Sequence, residues 1–217
     1  MNVHSYFYFG SIYGYINLEG IMCKRIILLI AATLFSVSQA SAAPLDDVKK
    51  TVAEVVRIVA DKDMKKSEQK RRLLLKKTIG TIFDYNEMAK RSLGKHWTPL
   101  TPEEKIQFVD LFAALLENSY AGKIESYNNE KIVYVKELLD GDHAEIKSKV
   151  VTAKRDEFTL DYRMIRQNGR WMAYDVVIEG ISLVSNYRSQ FSRIIKTNGY
   201  AGLVKKLEGK NNELKAL

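Results

Sequence analysis

The sequence predicts a single α+β domain: a helical N-terminal half packed on a four-stranded antiparallel meander, with a closing C-terminal helix. Three observations carry this. Apolar residues recur at three- and four-residue spacing as far as about Tyr120, they alternate from Ile132 to Ile178, and short connections rich in Gly and Asp separate the alternating runs. Short turns force neighbouring strands antiparallel, and helices followed by a sheet and one more helix form an α+β order.

The N-terminus reads as an export segment. Lys24 and Arg25 precede the apolar run Ile26 to Val37, which is followed by Ser38-Gln39 and the small-x-small site Ala40-Ser41-Ala42. That run is too short to span a bilayer as a helix. Met1 to Ile21 is aromatic and contains no Lys or Arg, unlike the start of a signal. Residues 1–21 are therefore read as an extension ahead of a start at Met22. Residues 22–42 are read as a signal peptide cleaved after Ala42, and 43–217 as one domain. The one cysteine, Cys23, falls inside the signal, so the mature domain is expected to have no disulfide and no thiol chemistry.

The elements follow in order. Leu45, Val48, Val52, Val55, Val56 and Val59 form the stripe of a first helix, closed by Asp61-Lys62-Asp63. Ser67 is placed to cap a second helix running to about Phe83. Asp84 to Glu87 resembles a capping box opening a third, short helix that Gly94 ends. Thr101-Pro102-Glu103-Glu104 is the clearest helix start in the chain, and the helix it opens has a broad apolar face from Phe108 to Tyr120.

Ile132 to Leu138, Ala144 to Thr152, Phe158 to Arg166 and Arg170 to Ile178 read as strands. Asp140-Gly141 and Asn168-Gly169 are hairpin pairs, because glycine accepts positive φ at little cost. After Gly180 a helix carries Val184, Tyr187, Phe191, Ile194 and Ile195. Asn198-Gly199 stops it, and Tyr200 to Leu207 forms a last short helix before a polar tail.

The formal charge of +8 points to an acidic partner, nucleic acid or an anionic surface. Loss of Lys24, Arg25 and Glu19 with the signal leaves about +7. Export removes nucleic acid from consideration, leaving anionic lipid or an acidic protein face. The stretch Lys62 to Lys77 holds eight cations and reads first as a solvated helix face, with an anionic lipid surface or acidic partner as the alternative. His96 and His143 have no metal-ligand spacing, and neither a nucleophile elbow nor a phosphate loop is present. Asp161 and Asp175 are the two strand carboxylates that stand as candidates for a base. Alternation directs Asp161 to solvent, and Asp175 reads as structural.

Phe158, Leu160, Tyr162 and Met164 are expected on one side of their strand, and Met172, Tyr174, Val176 and Ile178 on one side of the next. Periodicity alone does not distinguish a filled core there from a cavity.

Two segments then resemble the MlaC family. One is Phe83-Asp84 through Met88, Leu93-Gly94 and Trp97. The other is Trp171-Met172-Ala173-Tyr174-Asp175, Glu179-Gly180-Ile181-Ser182-Leu183 and Asn186-Tyr187-Arg188-Ser189-Gln190-Phe191. The resemblance implies a non-enzymatic periplasmic carrier of phospholipid, with no cofactor beyond that cargo and with acyl tails in a cavity between sheet and helices. The implied partners are an inner-membrane ABC lipid transporter with its membrane-anchored substrate-binding subunit, and an outer-membrane lipoprotein complex.

Stripes and alternation nominate Leu111, Leu115, Val133, Val150, Leu160, Tyr162, Val176, Val184 and Tyr187 as tail contacts. Trp171, Tyr174 and Gly180 are expected to be structural, with Gly180 permitting close approach at the corner. Asp175, Asn186 and Arg188 are expected to latch the closing helix to the sheet, the alternative for Arg188 being a lipid phosphate. Rival readings are a carrier of another membrane lipid, such as a hopanoid, and an α+β enzyme using Asp161 or Asp175.

Overall fold

Helix α1 (Pro44–Ala60) starts with Pro44 in its first turn, followed by Asp46 and Asp47, which favour the positive end of the helix dipole. The structure is a computed structural model that describes residues 43–215. The extension and signal read at residues 1–42 lie outside the described residues. Asp61 ends α1 and caps α2 (Lys62–Lys65) by accepting from the amides of Asp63 and Met64.

Helix α3 (Glu68–Ile79) follows Ser67, whose side chain makes no capping bond. It stops short of the expected Phe83 because the chain turns to pair with the sheet. The Ala173 amide donates to Ile82 O at 2.7 Å, and the Asp84 amide donates to Ala173 O at 2.9 Å. Asp84 then caps α4 (Tyr85–Leu93) through the Glu87 amide, and Gly94 ends it at φ 55°. Thr101 and Glu104 form both halves of a capping box at the head of α5 (Pro102–Glu125).

The sheet runs β1 (Lys131–Asp140), β2 (His143–Val151), β3 (Glu157–Gln167), β4 (Arg170–Ile178) and β5 (Ile181–Ser182), antiparallel and in chain order. It has five strands where four were expected. Glu179 and Gly180, both at positive φ, make a two-residue turn that folds Ile181 and Ser182 back onto β4. A Cβ on Gly180 would meet nothing within 4 Å, so the glycine serves the backbone conformation and not a close approach. The closing helix α6 (Leu183–Lys215) breaks at Gly199 and continues beyond the expected Leu207. Its last turns are tied down where Asn211 donates to Leu111 O at 2.9 Å.

A register shift between Arg163 and Met164 leaves Tyr174 as an extra residue on β4. The expected grouping of Met172 and Tyr174 with Val176 is therefore corrected: Trp171 and Ala173 share the inner face with Val176 and Ile178. Tyr174 turns to the other face, beneath the Arg91 guanidinium at 4.0 Å.

Apolar side chains gather in three clusters. The first joins α4, α5 and α6 around Phe108, Phe112 and Phe191, whose rings meet at 5.5–5.9 Å. The second lines the inner face of the sheet under α1, with Val48, Ile146, Tyr162 and Met164. The third is small and joins α1 to α3 through Ile58, Val59 and Leu75.

Candidate functional site

Between the second and third clusters the side chains do not close the interior. A cavity of about 840 Å³ is left, walled by α1, α3, α5 and the inner face of the sheet. Helix α1 contributes Val48, Val52, Val55 and Val56, and the sheet contributes Ile132, Val150, Phe158, Leu160, Tyr162, Val176 and Ile178. Alternation directs every second strand residue inward, so the sheet wall is almost wholly apolar. Tyr162 is the polar exception in its floor, and burial pushes its phenol well above the ordinary tyrosine value.

The α5 wall differs. Ala114, Glu117, Asn118 and Ala121 recur at helical spacing and set small and polar groups beside Leu116, Tyr120 and Ile124, where the sheet is almost wholly greasy. The Asn118 side-chain nitrogen is buried there with no hydrogen-bond partner among the described residues. Burial, together with the neighbouring Glu117 carboxylate, raises the pKa of Tyr85 far above its usual value.

Ion pairs fasten α3 to α5 along this edge. Arg71 Nε lies 3.2 Å from Glu125, and Lys76 Nζ lies 2.9 Å from Glu117. Arg72 bridges Glu68 and Glu125 at 2.8 and 3.5 Å.

Of the sequence-nominated tail contacts, the structure brings Val150, Leu160, Tyr162 and Val176 together in the cavity wall. Five stand elsewhere. Leu115 and Val184 are buried in the helical cluster, with Leu111 and Tyr187 packed against it, because that face of α5 meets α4 and α6. Val133 is one residue out of phase. Ile132 pairs with Val150 and faces the cavity, while Val133 opposes Lys149 on the other face and is 37% exposed. Sequence reasoning missed the α1 valines, whose stripe was visible, and on α5 it passed over Leu116 and Tyr120, which stood in its apolar face, together with the Ala114 to Ala121 stripe beside them.

The two strand carboxylates have structural partners. Asp161, expected at solvent, is only 9% exposed. It accepts from Lys147 Nζ and the Ser148 amide, both at 3.1 Å. Asp175 accepts from Ser182 Oγ at 2.6 Å, the Val184 amide at 3.0 Å and Arg163 at 3.2 Å, so it pins the start of α6 to the sheet. The expected latch is thus Asp175 with Ser182. Asn186 accepts from Gln190 on its own helix, and Arg188 donates to Arg91 O on α4 at 2.6 Å. No cluster of three or more potential metal-ligating side chains occurs among the described residues.

Comparison with known proteins agrees with this geometry. The model of a family described as MlaC protein matches residues 49–209. The chain is 27% identical over 180 residues to toluene tolerance protein ttg2D of Pseudomonas putida, covering 81% of this chain and 84% of that protein. It is also 27% identical over 121 residues to the intermembrane phospholipid transport system binding protein MlaC of Haemophilus influenzae, covering 54% and 56% respectively. A solved structure of a phospholipid-binding protein from Ralstonia solanacearum, in complex with a phospholipid, superposes with a TM-score of 0.73 at 28% identity. It covers 80% of this chain and 99% of that one.

Proposed function

The chain belongs to the MlaC family, and on that premise we propose that it is a periplasmic phospholipid carrier without enzymatic activity. It is exported by the signal at residues 22–42. It holds acyl tails in the cavity and passes its cargo between an outer-membrane lipoprotein complex and an inner-membrane ABC transporter with a membrane-anchored substrate-binding subunit. The observation that carries the reading is the 840 Å³ cavity with its apolar sheet wall.

The energetics favour a guest. Ten CH₂ groups taken out of water into the apolar walls gain on the order of 8 kcal/mol. Apolar walls interrupted by only a few polar groups suit the tails of such a guest. Val150, Leu160, Tyr162 and Val176 are the nominated contacts this reading keeps.

The test is denaturing extraction of the purified protein followed by mass analysis of what is released. The expected result is glycerophospholipid at close to one molecule per chain. Protein released without lipid, or carrying only a ring lipid such as a hopanoid, overturns the reading.

A further inference from the structure

Residues 61–77 hold eight cations against three carboxylates, in a chain whose whole net charge is +8. The structure sorts these cations into two groups. Arg71, Arg72 and Lys76 are engaged with carboxylates on α3 and α5, and Lys66 pairs with Asp63 at 2.9 Å. Lys62, Lys65, Lys70 and Lys77 are exposed and enter no ion pair among the described residues. Carrying the fold does not require them.

Helix α3 places two of these lysines around one apolar side chain. Lys70, Leu73 and Lys77 fall at i, i+3 and i+7, on one stripe of the helix. Leu73 is 67% exposed, yet it also lines the cavity, so it stands at the mouth. A single exposed leucine needs no explanation. A leucine at the mouth of an apolar cavity, with a lysine one turn away on either side, has the layout of an interfacial helix. The lysine stems reach along the apolar surface while their ammonium groups stay at the phosphate level.

We propose that the α2–α3 edge is a docking surface for an anionic phospholipid bilayer, with Leu73 entering the interface and the cavity mouth brought against the lipid. This rests on the carrier reading only for its purpose; the surface itself is argued from charge and exposure. An anionic bilayer is the occupant because it satisfies both features, offering phosphates to the lysines and hydrocarbon to Leu73. An acidic protein face would satisfy only the first.

The experiment is sedimentation of the purified protein with vesicles of phosphatidylglycerol and phosphatidylcholine, compared with phosphatidylcholine alone, at low and high salt. Binding is expected with the anionic vesicles only and is weakened by salt. The triple variant Lys65→Gln, Lys70→Gln, Lys77→Gln is expected to bind roughly a hundredfold more weakly, at about fivefold per cation near the surface. A control removing the same charge elsewhere, Lys196→Gln, Lys205→Gln, Lys206→Gln, is expected to stay within about twofold of the unaltered protein, because these residues lie on α6 and only local charge acts within a screening length. In Leu73→Trp, the emission of the introduced indole is expected to shift to the blue on anionic vesicles.

Equal losses in the two triple variants, no binding to anionic vesicles, or an unshifted indole overturn the proposal. A protein that fails to bind vesicles but still yields extracted phospholipid leaves the carrier reading standing and sinks this surface alone. Vesicle binding by a protein that yields no lipid does the opposite.

Discussion

Two halves of this domain are written in the same apolar alphabet and end differently. Around Phe108, Phe112 and Phe191, helices α4, α5 and α6 close on one another until these side chains are almost wholly removed from water. Across the domain, α1, α3 and the sheet present Val52, Val55, Leu160 and Ile178 to a space they do not fill. The helical half uses large aromatic rings whose shapes interlock. The cavity half carries rings as well, Phe158 and Tyr162 on the sheet and Tyr120 on α5 among them, yet these and the α1 valines opposite leave the space between them unfilled. Amphipathic patterning sets which side is apolar; how the elements meet sets whether that side closes.

The sharpest way to break this comparison is to truncate each half in turn. Phe112→Ala is expected to destabilise the fold by about 3–5 kcal/mol in urea denaturation, lipid present or not, because it cuts a hole in a filled cluster. An effect below about 1 kcal/mol would mean that the helical half is as loosely packed as the other.

Leu160→Glu, on the cavity wall, is expected to reverse that pattern. Extracted lipid should fall by tenfold or more, since a carboxylate facing hydrocarbon costs several kcal/mol unless neutralised, while the circular dichroism spectrum is retained. A folded variant with a full complement of lipid would show that this wall does not meet the tails.

Asp175→Asn addresses the seam where α6 meets the sheet. The side chain is 3% exposed and accepts from Ser182, Val184 and Arg163. Loss of its charge is expected to cost about 2 kcal/mol in thermal or urea unfolding while lipid content is kept, the opposite outcome to Leu160→Glu. The smallest expected effect is that of Glu125→Gln, which frees Arg71 from α5 and leaves Arg72 paired with Glu68 alone. A stability loss of about 1 kcal/mol is expected, together with faster transfer of a fluorescent phospholipid to acceptor vesicles. Unchanged transfer would show that α3 does not limit exchange.

Much of the fold was legible in the residues. Thr101 to Glu104, Asp84, Gly94 and the hairpin pairs act through local backbone chemistry, so they mark element boundaries without knowledge of the rest. Gly199 likewise breaks α6 where Asn198-Gly199 signalled a stop. What escaped depended on tertiary partners. The end of α3 was overrun because Ile82 to Asp84 bond to β4, ninety residues on. The bulge at Tyr174 inverted the expected face of β4, since the register belongs to the pair of strands and not to either one. The polar tail hid an ordered extension, because Asn211 finds its acceptor on α5.

The cavity wall is legible in the strands and not in the helices. Strand alternation leaves two choices, and it placed Val150, Leu160, Tyr162 and Val176 on the cavity side. Its slip at Val133 was a slip of one residue. Helix α5 has more than one buried face, and its most apolar one was assigned to the cavity. Phe108, Phe112 and Leu115 on that face went to the helical cluster, where aromatic partners waited, leaving the cavity Leu116 and Tyr120 at its edge and the stripe of Ala114, Glu117, Asn118 and Ala121.

Site-specific photocrosslinking tests the contrast between the two halves most directly. Benzoylphenylalanine replaces Phe158 in the cavity wall and, in a second protein, Tyr200 in the helical cluster, so that each swap is aromatic for aromatic. Irradiation of lipid-loaded protein is predicted to attach phospholipid at position 158 and none at position 200. Crosslinking at 200 with none at 158 would contradict the account.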